Sequence, residues 1–206
     1  MKEIFEIHSK EVIESILDAS EYGTLSMCDL RGVPYGVPIN FVRIEDRLAF
    51  HGSKKGKKME ILSKNPRVSF SVVEALSLID SDFSSESKLA CPATQFYRSV
   101  HIEGVIERVI ERKQKAAILQ ALMEKLQPKG GYLPLDHPDY EKALEATELF
   151  WLRVHTIRAK AKVGQHLPPE RYERIVTRLK RRDTPRDRRT LELMAYTRTL
   201  YRKGAL

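Results

Sequence analysis

Cysteine is nearly absent: Cys28 and Cys91 are the only two in 206 residues. They fit no CxxC-type metal spacing and cannot build a disulfide framework, so they read as reduced thiols of a cytoplasmic protein. Long apolar runs are missing too. No stretch approaches the ~20 residues that cross a bilayer, and the opening MKEIFEIHSKEV places charges inside any would-be signal core, so neither a membrane span nor a secretion signal is expected. No internal repeat or low-complexity tract marks a solenoid, a collagen or a disordered chain. The six histidines are scattered: His8, His137 and His166 fall in a terminus or near prolines, and His101 and His155 in different predicted strands. Nothing pairs them at ligand spacing, so no metal site is expected.

What the chain does have is unevenly placed positive charge. Lys and Arg number 36 against 28 Asp and Glu, a net +8. Residues 158–206 hold 15 of the cations and only 5 of the acids, a net +10, which leaves the first 157 residues at −2. Such asymmetry suits nucleic acid, an anionic membrane or a phosphorylated ligand, and charge alone does not choose among them.

Apolar periodicity sets the expected elements. Ser9 is positioned to cap a helix bearing Val12, Ile13, Ile16 and Leu17 and ending near Tyr22-Gly23. After Gly23 the period becomes two, giving a hairpin from Leu25 to Ile44 around Arg31-Gly32, in which Pro34 and Pro38 share one parity. Further strands are expected at 47–51, 68–72, 100–109 around Gly104, and 149–157. Helices are expected at 57–64, 112–127 and 138–147, and the serine-rich 77–96 reads as an excursion loop. Trp151 reads as core. Six antiparallel strands with flanking helices favour a small closed barrel, since closure removes exposed edges. Two basic helices complete the chain, the second starting at Thr184-Pro185-Arg186-Asp187. The expected division is residues 1–162 as barrel and 163–206 as helical extension.

Phe50-His51-Gly52-Ser53-Lys54-Lys55-Gly56-Lys57-Lys58 is the stretch richest in chemistry. It combines two glycines, four lysines and the start of a helix, which in physical terms is a phosphate site. It is not a P-loop, because His51 stands where the first glycine of that motif would be and Lys58 where its Ser or Thr would be. A solvated basic turn is the alternative.

In its order along the chain, this stretch resembles the FMN-binding split-barrel superfamily of pyridoxamine 5′-phosphate oxidases, and within it the Nim-type nitroimidazole-resistance proteins. The resemblance runs through Tyr22-Gly23-Thr24-Leu25, Gly32-Val33-Pro34-Tyr35-Gly36-Val37-Pro38-Ile39-Asn40-Phe41, Phe50-His51-Gly52-Ser53 with Gly56-Lys57-Lys58, Asn65-Pro66-Arg67-Val68, Tyr97-Arg98-Ser99-Val100 with Gly104, and Ala161-Lys162. It implies a six-stranded antiparallel split barrel, mainly β with flanking helices, and FMN held at a homodimer interface. By the same resemblance Val37, Pro38, Ile39, Asn40 and Phe41 would lie along the isoalloxazine ring through backbone groups. His51, Gly52 and Ser53 would contact the flavin, Lys57 and Lys58 would grip its phosphate, and Ser99 stands where the oxidases place a flavin-contacting glutamine.

Departures from the oxidase pattern narrow the activity. The oxidases carry a lysine at the position of Phe41 and an arginine-containing C-terminal motif, whereas this chain ends in two basic helices, which argues against vitamin B6 oxidation. A flavin-dependent reductase of a small, nitroaromatic-like acceptor remains, with His51 as catalytic proton donor or stacking group and NAD(P)H as electron donor. Alternatively His51 is a histidine merely hydrogen-bonded at a strand end. A second class stays open: an FMN- or haem-binding split-barrel protein acting as transcriptional regulator, since Lys162-Val163-Gly164-Gln165 resembles the Lys-x-x-Gln of such regulators, or a non-catalytic cofactor binder. His166 would then be the candidate haem ligand. Nucleic acid is not favoured, because no helix carries an array of base-reading Asn, Gln and Ser.

Overall fold

The computed structural model describes residues 3–83 and 89–203. In chain order its elements are β1 (Glu6–Ile7), α1 (Lys10–Ala19), β2 (Tyr22–Cys28), β3 (Pro34–Asn40), β4 (Val42–Ile44), β5 (Arg47–Ser53), α2 (Lys57–Leu62), β6 (Arg67–Ile79), β7 (Thr94–Arg108), α3 (Arg112–Leu126), α4 (Glu141–Ala146), β8 (Thr147–Lys162), α5 (Pro169–Arg182) and α6 (Pro185–Arg202). The strands form one sheet in the order β3-β2-β6-β7-β8-β5-β4, with β1 paired to β8.

The expected six-stranded barrel is therefore corrected to an eight-stranded sheet. β1 has two residues, too few to carry an alternation. The expected long strand through Ile44 breaks at Phe41, which is 1% exposed, and its two parts go to different partners: β3 pairs with β2 and β4 with β5. Because the two ends of the sheet, β3 and β4, are consecutive strands joined by that one residue, the sheet must curl back on itself, as a split barrel does. The serine-rich excursion is also shorter than expected, since β6 runs to Ile79 and β7 begins at Thr94. Residues 84–88 of that stretch lie outside the described residues.

Two compact units divide the chain, one of residues 17–72 and 101–157, the other of residues 1–16, 73–100 and 158–206. In the first, strand alternation puts Leu25, Met27, Val68, Phe70, Ile102 and Leu152 inside. Val42, Ala49, Val109, Ile118, Leu122 and Leu149 form a cluster against which Trp151 packs. Gly104 is required by close approach, because a Cβ there would stand 2.2 Å from the Arg153 carbonyl oxygen. Lys125, in the last turn of α3, ties two neighbouring pieces together. Its Nζ donates to the Leu17 and Phe41 carbonyls at 3.1 Å each and stands 3.9 Å from the Phe41 ring centroid.

The second unit holds the two C-terminal helices. Ser9 caps α1 as expected, accepting from the Val12 N–H. At the start of α6, Thr184 and Asp187 form a reciprocal capping box, the arrangement the sequence signals. Asp187, fully buried, also accepts from Ser77 at 2.5 Å and from the Arg182 guanidinium at 2.7 and 2.9 Å. These bonds hold its carboxyl well below the ordinary aspartate range, the Arg182 pairing being the largest cause. Arg98, 2% exposed, pairs with Glu74 and donates to Ser15.

Candidate functional site

Among the described residues β3 is an edge strand, pairing only with β2, and an edge is where a strand tolerates two prolines. The register Tyr35↔Met27, Val37↔Leu25 and Ile39↔Gly23 puts these β3 side chains on the face of the buried Leu25 and Met27, while Pro34, Gly36, Pro38 and Asn40 take the opposite face. The five residues expected along a flavin are thus split by parity. Val37 and Ile39 turn one way and Pro38 and Asn40 the other, with Asn40 donating to the Glu21 carbonyl at 3.0 Å. Phe41 is covered: its ring meets Phe70 edge-on at 5.0 Å. Phe70 in turn occupies the space above Gly23, where a Cβ would stand 2.3 Å from its ring. The Phe41 ring can therefore make no contact with a ligand.

β5 carries the second half of the site. Phe50 is buried and stacks on Phe150 at 5.2 Å. The next residues, His51, Gly52 and Ser53, pair with Leu149, Glu148 and Thr147 of β8. The chain then turns through Ser53, whose hydroxyl accepts from the Lys55 N–H at 3.2 Å. It enters α2 at Gly56, whose φ of 105° lies in the left-handed region that favours glycine. α2 has only six residues, so cationic side chains rather than its end dominate the local field.

Lys58 folds back over β5. Its Nζ stands 5.7 Å from the Phe50 ring centroid, and a Cβ on Gly52 would come within 2.5 Å of that ammonium. Gly52 therefore leaves the space the lysine fills. Loss of water around Lys58 lowers its pKa from the ordinary value. His51 is lowered as well, first by desolvation and then by the Lys58 charge, so its imidazole is largely neutral at pH 7. Lys57 lies against Tyr35, Nζ 4.6 Å from the ring centroid. Tyr35 is the residue to which sequence analysis gave no role. Its signal was its parity with Val37 and Ile39, two and four residues further along the same strand.

The structure brings Val37, Ile39, His51, Gly52, Ser53, Lys57 and Lys58 into one unit. Ser99 belongs to the other, half-buried on β7 between the buried Arg98 and Val100. In the Lys-x-x-Gln stretch, the Gln165 amide is spent inside the chain. It accepts from the Val163 N–H and donates to the Ile4 and Ala161 carbonyls. Among the described residues no cluster of His, Cys, Asp and Glu is arranged to hold a metal ion, and no helix is long and apolar enough to cross a membrane.

The curled antiparallel sheet, whose two end strands follow one another in the chain, fits the split-barrel class. Residues 9–161 match the pyridoxamine 5′-phosphate oxidase family, and the chain belongs to that family. A comparison with curated proteins finds no match. Among solved structures, a candidate 5-nitroimidazole antibiotic resistance protein from Bacteroides thetaiotaomicron is similar at TM-score 0.62 and 24% identity, covering 75% of this chain and 85% of that one. The flavocytochrome Anf3 from Azotobacter vinelandii is similar at TM-score 0.64 and 25% identity over 77% of this chain and 69% of its own. An FAD- and haem-binding protein from Mycobacterium smegmatis gives 0.64 and 24% over 76% and 73%.

Proposed function

We propose that the chain is an FMN-binding reductase that works as a homodimer, takes electrons from NAD(P)H and passes them to a small nitroaromatic-like acceptor. The observation that carries this is the Lys58 ammonium held above Gly52, a cation in a cradle that any side chain at position 52 would fill. A half-desolvated ammonium beside a chain turn suits a phosphate monoester, which would return the charge partner that burial has removed. Lys57 supplies a second cation.

The remaining residues fit the rest of the flavin. Val37 and Ile39 offer an apolar wall, and the open side of β3 offers backbone groups that an isoalloxazine ring can pair with. When bound, FMN supplies the two-electron chemistry. The chain's own part is to neutralise the phosphate at Lys57 and Lys58 Nζ, to align the ring on the β3 backbone, and to present a neutral His51 imidazole that can hold or release one proton on a ring nitrogen. Nim-type family resemblance supports the acceptor class, and the homodimer rests on the same ground, as does a flavin contact from Ser99.

The absorbance spectrum of purified protein is the direct test, with flavin bands expected at about 370 and about 450 nm. A chain that carries no flavin and takes up none on addition of FMN defeats the proposal. Lys58→Ala is expected to weaken FMN about tenfold, the worth of one charge-assisted bond, while leaving riboflavin, which lacks the phosphate, unchanged. Equal loss for both would remove the phosphate assignment.

A further inference from the structure

Next to the candidate cofactor site, and sharing Lys57 with it, lies a cleft of about 470 Å³ walled by Asp29, Leu30, Arg31, Lys57, Glu60, Ile61 and Lys64. One wall is α2 with its continuation, from which Lys57, Glu60, Ile61 and Lys64 project on one helical face. The other is the turn between β2 and β3. The walls are pinned at one end, where the Asn65 side chain donates to the Cys28 carbonyl at 3.1 Å. The turn is fixed by Asp29, which accepts from the Arg31 and Val33 N–H groups at 2.8 and 2.9 Å.

Charge distinguishes this cleft from an ordinary surface groove. Residues 54–64 carry five lysines and one glutamate, in a part of the chain that is otherwise acidic overall. Among the described residues no carboxylate lies within ion-pair distance of Lys54, Lys55, Lys57, Lys58 or Lys64, although such pairs are common elsewhere in the molecule. One phosphate monoester carries at most two negative charges and is served by Lys57 and Lys58. Lys64, at the far end of the cleft, is surplus to it.

Two further features match a nucleoside. The Arg31 guanidinium is tied edge-on to Asp29, Nε and Nη2 at 3.2 and 3.1 Å from one carboxylate oxygen, which leaves its flat face for stacking. Leu30 beside it is 73% exposed, and Ile61 gives the cleft an apolar floor. An aromatic base between Leu30 and Arg31, with a diphosphate running along Lys64 to Lys57, uses every part of the cleft. Glu60 is the single unfavourable wall group, and Asp29 is spent on Arg31 and its own turn.

We infer that this cleft binds the nucleoside-diphosphate half of a dinucleotide. The inference rests on the proposed flavin site for what lies beyond Lys57, and the dinucleotide is either FAD, whose FMN half would take that site, or the nicotinamide donor. Calorimetric titration of the full chain with ADP tests the cleft without any flavin. ADP is expected to bind, Lys64→Ala to weaken it about tenfold, and Glu60→Gln to tighten it about threefold by removing a like charge. FMN affinity in Lys64→Ala is expected to stay within about twofold of wild type, because Lys64 is not placed at the flavin phosphate. Displacement of ADP by FAD assigns the cleft to the cofactor, and displacement by NADPH assigns it to the donor. No ADP binding, ADP affinity unmoved by both substitutions, or displacement by neither dinucleotide overturns the inference. ADP binding that depends on Lys64 in a chain that takes no FMN would keep the cleft and sink the flavin proposal.

Discussion

Two regions of this chain are rich in positive charge, and they use it oppositely. In the C-terminal helices several arginines are built into the fold. Arg182 meets Asp187 and Asp80, Arg178 faces Asp82, Arg188 faces Asp183, Arg189 faces Glu74 and Glu192, and Arg198 lies 3.7 Å over the Tyr172 ring. In the segment from Lys54 to Lys64 the cations are lysines, and among the described residues they meet an aromatic ring or nothing rather than a carboxylate. The region with the larger net charge thus holds several of its cations in ion pairs, while among the described residues the smaller cluster has none. Pairing, rather than total charge, separates a structural cation from a binding one.

The comparison breaks first at Asp187. Asp187→Ala leaves the Arg182 guanidinium without its main partner and is expected to cost about 3–5 kcal/mol, read as a lower denaturant midpoint. An unmoved midpoint would return the tail arginines to the solvent-exposed class. Because the native Asp187 carboxyl is depressed, its contribution is whole above the ordinary aspartate value near 3.8 and is lost as pH falls below that towards the native one. Acid titration of the wild type against Asp187→Asn checks that sign.

Next in size is Gly52→Ala, which puts a methyl where the Lys58 ammonium lies. Since the displaced group is the end of a flexible side chain, folding should be unaffected while FMN affinity drops about fivefold. Affinity equal to wild type would mean the cradle is incidental. Lys125 gives a smaller, pH-dependent effect. Burial brings its pKa down to about 8, so from about pH 8 up to the ordinary lysine value the unfolded chain holds the extra proton and stability rises with pH. Lys125→Met should abolish that rise in a series of thermal melts.

Subtler still is the response of His51. Removing the nearby charge in Lys58→Ala should raise the imidazole pKa towards its ordinary 6.5, seen by NMR titration of the ring, and a downward shift would contradict the electrostatic picture. Smallest of all, Arg181→Ala on the exposed side of α5 is expected to change stability by less than about 0.5 kcal/mol.

Much of the frame was legible because it is written locally. The capping box at Thr184 and Asp187, the Ser9 cap, the two-residue alternation of β2 and the turn before β3 all depend on neighbours a few residues apart. So did the lysine and glycine pattern from Gly52 to Lys58, which led to the candidate site. Interactions between distant segments were not legible. The ion pairs of Arg182 with Asp80 and Arg189 with Glu74 span more than a hundred positions. β6 and β7 run longer than their alternation suggests because residues such as Ser77 and Gln95 bond partners that only the fold supplies. The break at Phe41 was hidden for a related reason, since an apolar residue suits a strand interior as well as an inward-turned joint.

Unpaired strand edges invite other strands to add to them, the route to swapped or aggregated chains. Here β4 is three residues long and β3 bears two prolines, so neither offers a full ladder to a stranger. Growth of the sheet by strand addition is thereby discouraged on both sides. In the proposed flavin complex, the backbone groups still open on β3 would pair with the donors and acceptors of the ring.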